Sequence, residues 1–328
     1  KTIQQIITQT IQNAVSDNNE FLLDAANTNF LAMTDTKNSY FKQNHFRLLP
    51  VADINEHEYF SAISVTSSMP GSKENSILNL QGKVILAGGR GKDKQESVKF
   101  GLKHETRISE NSIIGLALNV NIKESEGKVV NQAFTNSYLE SYALSVYRSQ
   151  KLNKENVFVS SIFAKHLSVD VLNQNPEIRI EAETTQNLLG LSFVLDSQYQ
   201  GIHQNINYVS KIGMQTYSID KAKIKISAQE NDFTGNFDIL ADSGVMNIPF
   251  INLGVEKLLK NNKLALNSGL VCNLSALDEF AMSKCTRNTK FEWTRDLTGS
   301  NKIKFGCNKR YEPERREWMC ATSLEIKF

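Results

Sequence analysis

The sequence predicts an all-β protein, a transmembrane antiparallel β-barrel of about twelve strands preceded by an N-terminal α-helix. Three observations lead to this fold class. Twelve stretches after residue 78 have strand-like composition, the connections between them alternate between short and long, and the glycines inside them fall on the polar face. Together these features favour a sheet with one apolar and one polar face.

Composition excludes several kinds of protein. The 37 Lys and Arg residues nearly balance the 35 Asp and Glu residues, so no basic patch indicates nucleic acid binding. The longest apolar run, 188–195, is too short for a membrane-spanning helix. Residues 1–5 lack the basic start of a signal peptide, so the chain is either cytosolic or the excised end of a longer precursor.

The first 33 residues have helical periodicity. Apolar residues recur every three or four positions, at Ile3, Ile6, Ile7, Ile11 and Val15. The other face is almost uncharged, which fits an amphipathic helix on a core or in a coiled coil, and equally a helix inside a polar channel. Residues 34–78 are interpreted as a connector, with a turn at 69–72 and one short strand at 59–65.

The barrel is predicted over 79–328. Its twelve strands are 79–90, 97–108, 112–122, 136–150, 156–171, 187–199, 206–219, 246–259, 263–274, 286–295, 302–310 and 316–328. Large apolar residues alternate regularly with small or polar ones in 112–122, where Ile114, Leu116 and Leu118 share one face. The residues on the opposite parity are predicted to face a lumen: Lys99, Gly101, Lys103, Glu105, Arg107, Asn119, Asn121, Gly254, Glu256 and Gly269.

The connections and glycines distinguish a barrel from a sandwich. Four connections are short (109–111, 151–155, 260–263, 297–301) and four are longer (123–135, 172–186, 220–245, 275–285). A membrane meander with tight turns at one end gives this asymmetry. Seven glycines lie on the polar face of the predicted strands: Gly101, Gly115, Gly190, Gly213, Gly254, Gly269 and Gly306. Glycines there would let backbone or another segment approach the inner wall closely.

The last strand ends on alternating apolar residues, Leu324, Ile326 and Phe328. Alone, this pattern fits a soluble amphipathic strand or a strand between lipid and a polar lumen equally well. Combined with the twelve-strand meander and the uncharged N-terminal helix, the chain resembles the translocator, or β-domain, of the type Va autotransporters of Gram-negative bacteria.

That resemblance implies an outer-membrane anchor for type V secretion. It implies a passenger N-terminal to Lys1 that is exported through or beside the barrel. The implied partners are this passenger, the barrel assembly machinery with periplasmic chaperones, and outer-membrane lipid. Phe328, Ile326 and Leu324 would form the assembly signal. The barrel would be a monomer without cofactor, nucleotide or nucleic acid.

Catalytic motifs are sparse, and the barrel itself is predicted not to be an enzyme. The histidines are scattered without metal-ligand spacing, at His45, His57, His104, His166 and His203. His166 and Ser168 resemble the motif of outer-membrane phospholipase A, but the apolar parity of their strand would turn both toward the lumen. No catalytic or metal site is therefore predicted. A stand-alone channel or adhesin, and a lipid hydrolase, remain as alternatives.

Asn18 and Asn19 form the second chemical candidate. Some autotransporters release the passenger by cyclisation of an Asn at such a pair, and Asp17 or Glu20 would polarise the site. An ordinary polar helix face explains the pair equally simply.

The four cysteines are predicted to form two hairpin disulfides, Cys272–Cys285 and Cys307–Cys320. The members of each pair are thirteen residues apart. The first pairing sets Leu266 opposite Phe291, and the second sets Phe305 opposite Thr322, so both hairpins keep one apolar face. Zinc is disfavoured because there is no C-x-x-C motif. Such bonds need an oxidising compartment.

Overall fold

The computed structural model describes residues 45–52, 58–70, 76–89, 92–128, 134–174, 177–201, 205–230, 233–241, 243–272, 274, 285–297, 302–311 and 316–327. These residues form sixteen antiparallel strands in one sheet. The strands are β1 His45–Ala52, β2 Glu58–Pro70, β3 Ser76–Gly89, β4 Lys92–Ser109, β5 Ser112–Lys128, β6 Phe134–Lys151, β7 Asn156–Gln174, β8 Ile178–Gln200, β9 Ile206–Ile219, β10 Ala222–Glu230, β11 Phe233–Ala241, β12 Gly244–Leu259, β13 Asn262–Cys272, β14 Cys285–Asp296, β15 Lys302–Tyr311 and β16 Arg316–Lys327.

The sheet closes on itself. Each strand pairs with its neighbour in sequence from β1 to β9, β1 pairs with β16, and β12 pairs with β9. β9 and β10 both pair with the same edge of β8, one after the other. In the same way, β11 pairs with β10 and β12 pairs with β9 along the next edge. Counting each of these two pairs as one, the sixteen described strands occupy fourteen positions around a barrel. The predicted all-β antiparallel fold is confirmed.

The predicted number of strands is too low. Each of the twelve predicted stretches overlaps a strand, and the short strand predicted at 59–65 lies within β2, but the predicted connector at 34–78 also contains β1. β1 combines adjacent leucines with a proline and does not alternate clearly, and β2, which is rich in small residues, is longer than the predicted strand. Pairing decides their structure, because β1 bridges β2 and β16 and closes the sheet.

The two ends of the barrel differ. At the short-turn end, defined by the turns at 110–111, 152–155 and 260–261, the described connections match the predicted short ones. At the opposite, long-strand end, two predicted long loops are largely strand in the described residues: β7 and β8 extend through much of 172–186, and β10 and β11 occupy most of 220–245. Polar residues on the outer side of these extensions give them the composition of loops.

Several predicted features lie outside the described residues. These are the helix at 1–33 with Asn18 and Asn19, and the terminal Phe328. Ile326 and Leu324 lie in β16, opposite Phe46 and Leu48 of β1. Within the described ranges, no helix has both the length and the apolarity needed to cross a membrane.

The register supports the disulfide prediction. Cys272 and Cys285 are bonded, with their Cα atoms 4.0 Å apart, and Leu266 lies opposite Phe291. Cys307 is disulfide-bonded and lies directly opposite Cys320, with Phe305 opposite Thr322. We therefore expect mass mapping of the unreduced protein to find peptides linked as 272–285 and 307–320. A peptide joining Cys285 to Cys307 would contradict the register of β13 to β16.

Candidate functional site

The outer face of the barrel carries a belt of large apolar side chains. Leu191, for example, is 42% exposed, although it lies in the middle of a long strand. This outer apolar band consists of Val98, Phe100, Ile114, Leu116, Leu118, Leu144, Val146, Ile162, Leu189, Leu191, Phe193, Ile212, Met214, Leu253, Val255, Leu266, Phe291 and Phe305. So many exposed apolar side chains on one surface indicate contact with something other than water.

The interior is the candidate functional site, and near the short-turn end it is polar. The structure places the residues predicted to face a lumen as follows: Gly101, Lys103, Glu105 and Asn121 are buried, whereas Lys99, Arg107, Asn119, Gly254, Glu256 and Gly269 are half-buried. Their strand neighbours Val98, Phe100, Ile114 and Leu116 are exposed on the outer face. The polar parity of β4 and β5 therefore points inward.

A buried ion pair lies in this interior. Lys103 Nζ is 2.9 Å from Glu105 Oε1, and the two side chains are only 3% and 2% exposed. The Tyr147 hydroxyl donates a hydrogen bond to Glu105, and Lys103 lies 5.8 Å from the centre of the Tyr147 ring. These three side chains tie β4 to β6 across β5. A pair so completely removed from water persists only because each charge has a partner.

Further ion pairs lie close to the short-turn end. Lys211 pairs with Asp196 at 3.6 Å between β9 and β8, and Lys263 pairs with Glu256 at 2.6 Å between β13 and β12. Both pairs lie within six residues of a turn at that end. The interior at the short-turn end therefore offers paired charges and hydrogen-bonding groups to anything that enters it.

The inward glycines make room for side chains of neighbouring strands. Glu105, Gly115 and Tyr147 are aligned across β4, β5 and β6, so the tyrosine ring lies over the glycine to reach Glu105. A Cβ atom at 115 would lie 2.1 Å from Cζ of Tyr147. Gly190 likewise lies beneath Phe163, whose ring meets Tyr217 with centroids 5.1 Å apart.

We expect Gly115→Val to destabilise the barrel more than Gly82→Val does. A valine at 115 collides with the Tyr147 ring, whereas a Cβ at 82 meets nothing within 4 Å. Moving a buried ring off its hydrogen bond costs about 1–3 kcal/mol. The temperature at which the folded band is lost in gel electrophoresis measures the difference. Equal temperatures for the two variants would contradict this role of Gly115.

Toward the long-strand end the polarity of the wall is inverted. There the interior holds an inner apolar cluster of Leu139, Phe163, Leu167, Val169, Val171, Ala182, Leu188, Tyr217, Ile219, Ile224, Ile226 and Met246. Leu167 and Val169 are completely buried, while the outer residues Asp170 and Glu183 are exposed. This part of the wall has its apolar face inside and its polar face outside, as in a water-soluble sheet.

The inversion corrects the predicted orientation of β7. Val159, Leu167 and Val169 lie inside, so His166 and Ser168 belong to the outer face and do not point toward the lumen. His166 Nδ1 is 2.8 Å from Oδ1 of Asn187, the residue opposite it on β8. Sequence analysis missed both the inner apolar cluster and Asn187. Only the pairing of β7 with β8 brings Asn187 to His166.

Known proteins share the fold of this chain. The translocator domain of the autotransporter NalP from Neisseria meningitidis is similar over 97% of this chain and 98% of its own, with a TM-score of 0.54 and 8% identity. The CymD monoaromatic hydrocarbon channel is similar over 92% of each chain, with a TM-score of 0.55 and 10% identity. A variant of the TodX monoaromatic hydrocarbon channel is similar over 87% of this chain and 90% of its own, with a TM-score of 0.51 and 10% identity.

No protein-family model matches the sequence. No curated protein matches it either. The similarity to solved structures is therefore one of fold.

Proposed function

We propose that this chain is the outer-membrane translocator and anchor domain of an autotransporter, which assists export of a segment N-terminal to it. The closed barrel, with an apolar band outside and paired charges inside, is the observation that carries the proposal. The fold shared with the NalP translocator domain over nearly the whole of both chains supports it.

Strand length supports a membrane position for the outer apolar band. A strand needs about 9–11 residues to cross the hydrocarbon layer. β8 has 23 residues, and only its half toward the short-turn end carries the exposed Leu189, Leu191 and Phe193. The other half exposes Glu181, Glu183 and Asn187. The lipid layer thus surrounds the half of the barrel toward the short-turn end. The inner apolar cluster stabilises the other half, which extends into the water outside the cell.

The path of the chain supports export through the barrel. β1 begins at His45, opposite Lys327 near the end of β16, so the start of β1 and the end of the last strand lie at the short-turn end. With that end in the periplasm, an upstream segment reaches the surface by crossing the interior, which it enters at the polar short-turn end. The assembly machinery would recognise Leu324, Ile326 and Phe328 of the last strand, and the barrel would act as a monomer.

An epitope fused ahead of Lys1 tests the proposal. In Gram-negative cells that produce the fusion, we expect antibody to bind the epitope on intact cells. The matched control lacks Phe328 and should lose surface signal together with the barrel band. An epitope that stays inaccessible in intact cells, while the barrel is folded in the outer membrane, would contradict export.

One observation favours a second function, a stand-alone channel for small apolar solutes. The inner apolar cluster makes the interior of the barrel apolar toward the long-strand end, and the channels CymD and TodX share the fold. Solute uptake into liposomes that contain the barrel, together with an inaccessible epitope in the export experiment, would select the channel.

A further inference from the structure

We propose that the lumen of the barrel is an anion-selective pore, and that its selectivity comes from lysines on the inner face of β4, β5 and β7. The ligands would be small anions such as chloride and short carboxylates. This activity goes beyond export of an upstream segment, because it concerns ions that cross the barrel on their own. The proposal rests on the net charge of the inner wall and on its position behind the outer apolar band.

The inward residues of β4 to β7 form aligned rows, from the row that contains Ser97 to the row that contains Glu105. Each row holds one residue of each of the four strands. Lys123 lies opposite Ser97 on β5, and Lys165 lies opposite Ala143 on β6. At these positions the chain has four lysines and a single carboxylate, namely Lys99, Lys103, Lys123, Lys165 and Glu105.

The carboxylate offsets only one of the four lysine charges. Glu105 lies 2.9 Å from Lys103, so these two side chains are neutral as a pair. Four positive charges against one negative charge leave this part of the wall with a net charge of +3. We call the residues that carry this surplus the lysine wall: Lys99, Lys123 and Lys165.

Ion pairs elsewhere in the described interior do not offset the lysine wall. Each consists of one lysine and one carboxylate: Lys211–Asp196 at 3.6 Å, Lys263–Glu256 at 2.6 Å and Lys290–Glu292 at 3.0 Å. Because each pair is neutral as a unit, the positive charge of the lysine wall remains. Clusters of lysine and arginine side chains are the means by which pores select anions.

The lysine wall lies behind the outer apolar band. Lys99 is flanked along β4 by Val98 and Phe100, which belong to that band. Lys165 lies opposite Leu188, whose neighbour Leu189 also belongs to it. Hydrocarbon on the outer side screens charge poorly, so the field of the lysines is directed into the lumen. Anions are therefore attracted and cations repelled at this level of the barrel.

Another side of the lumen is open to water. On β14, Asn288 and Lys290 lie on the face opposite to Phe291 of the outer apolar band. Asn288 is exposed, and the Lys290 side chain is 50% exposed, although both face inward. Hydrated ions thus have a polar surface to pass, on strands that do not contribute to the inner apolar cluster.

Ion selectivity can be measured on the full chain alone. The protein, folded in detergent, should be inserted into a planar lipid bilayer with a tenfold gradient of KCl, and the zero-current potential recorded. At low salt, where charges act over about 10 Å, we expect chloride to permeate at least about threefold more readily than potassium. A gradient between more concentrated solutions, where that range falls to about 3 Å, should weaken the selectivity.

Variants of the lysine wall identify the source of the selectivity. Lys99→Gln/Lys123→Gln removes two of its charges and should lower the preference for chloride at least about twofold. Adding Lys165→Gln should abolish the preference. Because Lys165 is buried, the double variant keeps the test valid if the triple variant does not fold. The matched control Lys223→Gln/Lys225→Gln removes two charges from the outer face of β10 and should leave the preference unchanged.

Migration of unboiled samples on a gel shows that each variant is folded. Folded wild-type protein that conducts no ions, or that passes potassium as readily as chloride, would overturn the proposal. Unchanged selectivity in the double variant would do so too, as would an equal loss in the control. None of these readings depends on an epitope at the cell surface, so a failure of the pore and a failure of export are distinguishable.

Discussion

Replacing Lys103 with Met should destabilise the folded barrel by about 3–5 kcal/mol, because it removes the cation that lies 2.9 Å from the buried carboxylate of Glu105. The Tyr147 hydroxyl remains as a hydrogen-bond donor to that carboxylate, but it carries no charge. The free energy of unfolding in denaturant, followed by loss of the fast-migrating folded band, measures the change.

Lys263→Met is the matched control. It breaks the ion pair with Glu256, but the carboxylate left behind is 16% exposed and within reach of water, so the expected cost is smaller, about 1 kcal/mol. The double variant Lys103→Met/Glu105→Gln should recover part of the loss, since it removes the buried charge. If Lys103→Met proved no more damaging than Lys263→Met, the Lys103–Glu105 pair would not be buried in the folded protein.

Placing an arginine in the outer apolar band should be almost as damaging. Leu191→Arg puts a charge into the proposed lipid layer, at a cost of about 2–4 kcal/mol near its centre. Glu183→Arg lies on the same face of the same strand, beyond the band, and should change stability little. Unfolding of both variants in lipid vesicles measures the difference, and equal stabilities would contradict the membrane position of the band.

Alternation predicted strands well wherever the outer face is apolar and the inner face polar. β4 and β5 satisfy this condition, and the residues predicted to line their inner side are buried or half-buried in the structure. The Cys272–Cys285 register was predictable for a similar reason. A bond between strands fixes every other pair in the hairpin, and the apolar residues then had to share a face.

The same rule failed for β7. Val159, Leu167 and Val169 were interpreted as outward because apolar residues on a barrel usually face lipid. Leu167 and Val169 face inward because the long-strand end has its own apolar interior, in which Leu167 packs with residues of β8 to β12. Val159 faces inward in a separate buried cluster with Val194. Period-two alternation gives two faces but does not state which is inside.

The strand β1 and the partner of His166 could not be predicted, for a different reason. β1 is held by pairing with strands near and far in sequence, and its composition carries little signal. Asn187 is 21 residues from His166, so only the register of β7 against β8 identifies it. Long-range pairing is not encoded in local pattern.

The position of the bilayer on this barrel tests the account most directly. In a background with Trp293→Phe and Trp318→Phe, single tryptophans would replace Leu191 or Glu183, and the protein would be reconstituted in phospholipid brominated on its acyl chains. We predict strong quenching of tryptophan fluorescence at 191 and little at 183. Equal quenching at the two positions, or none at 191, would contradict a membrane barrel whose outer apolar band lies in lipid.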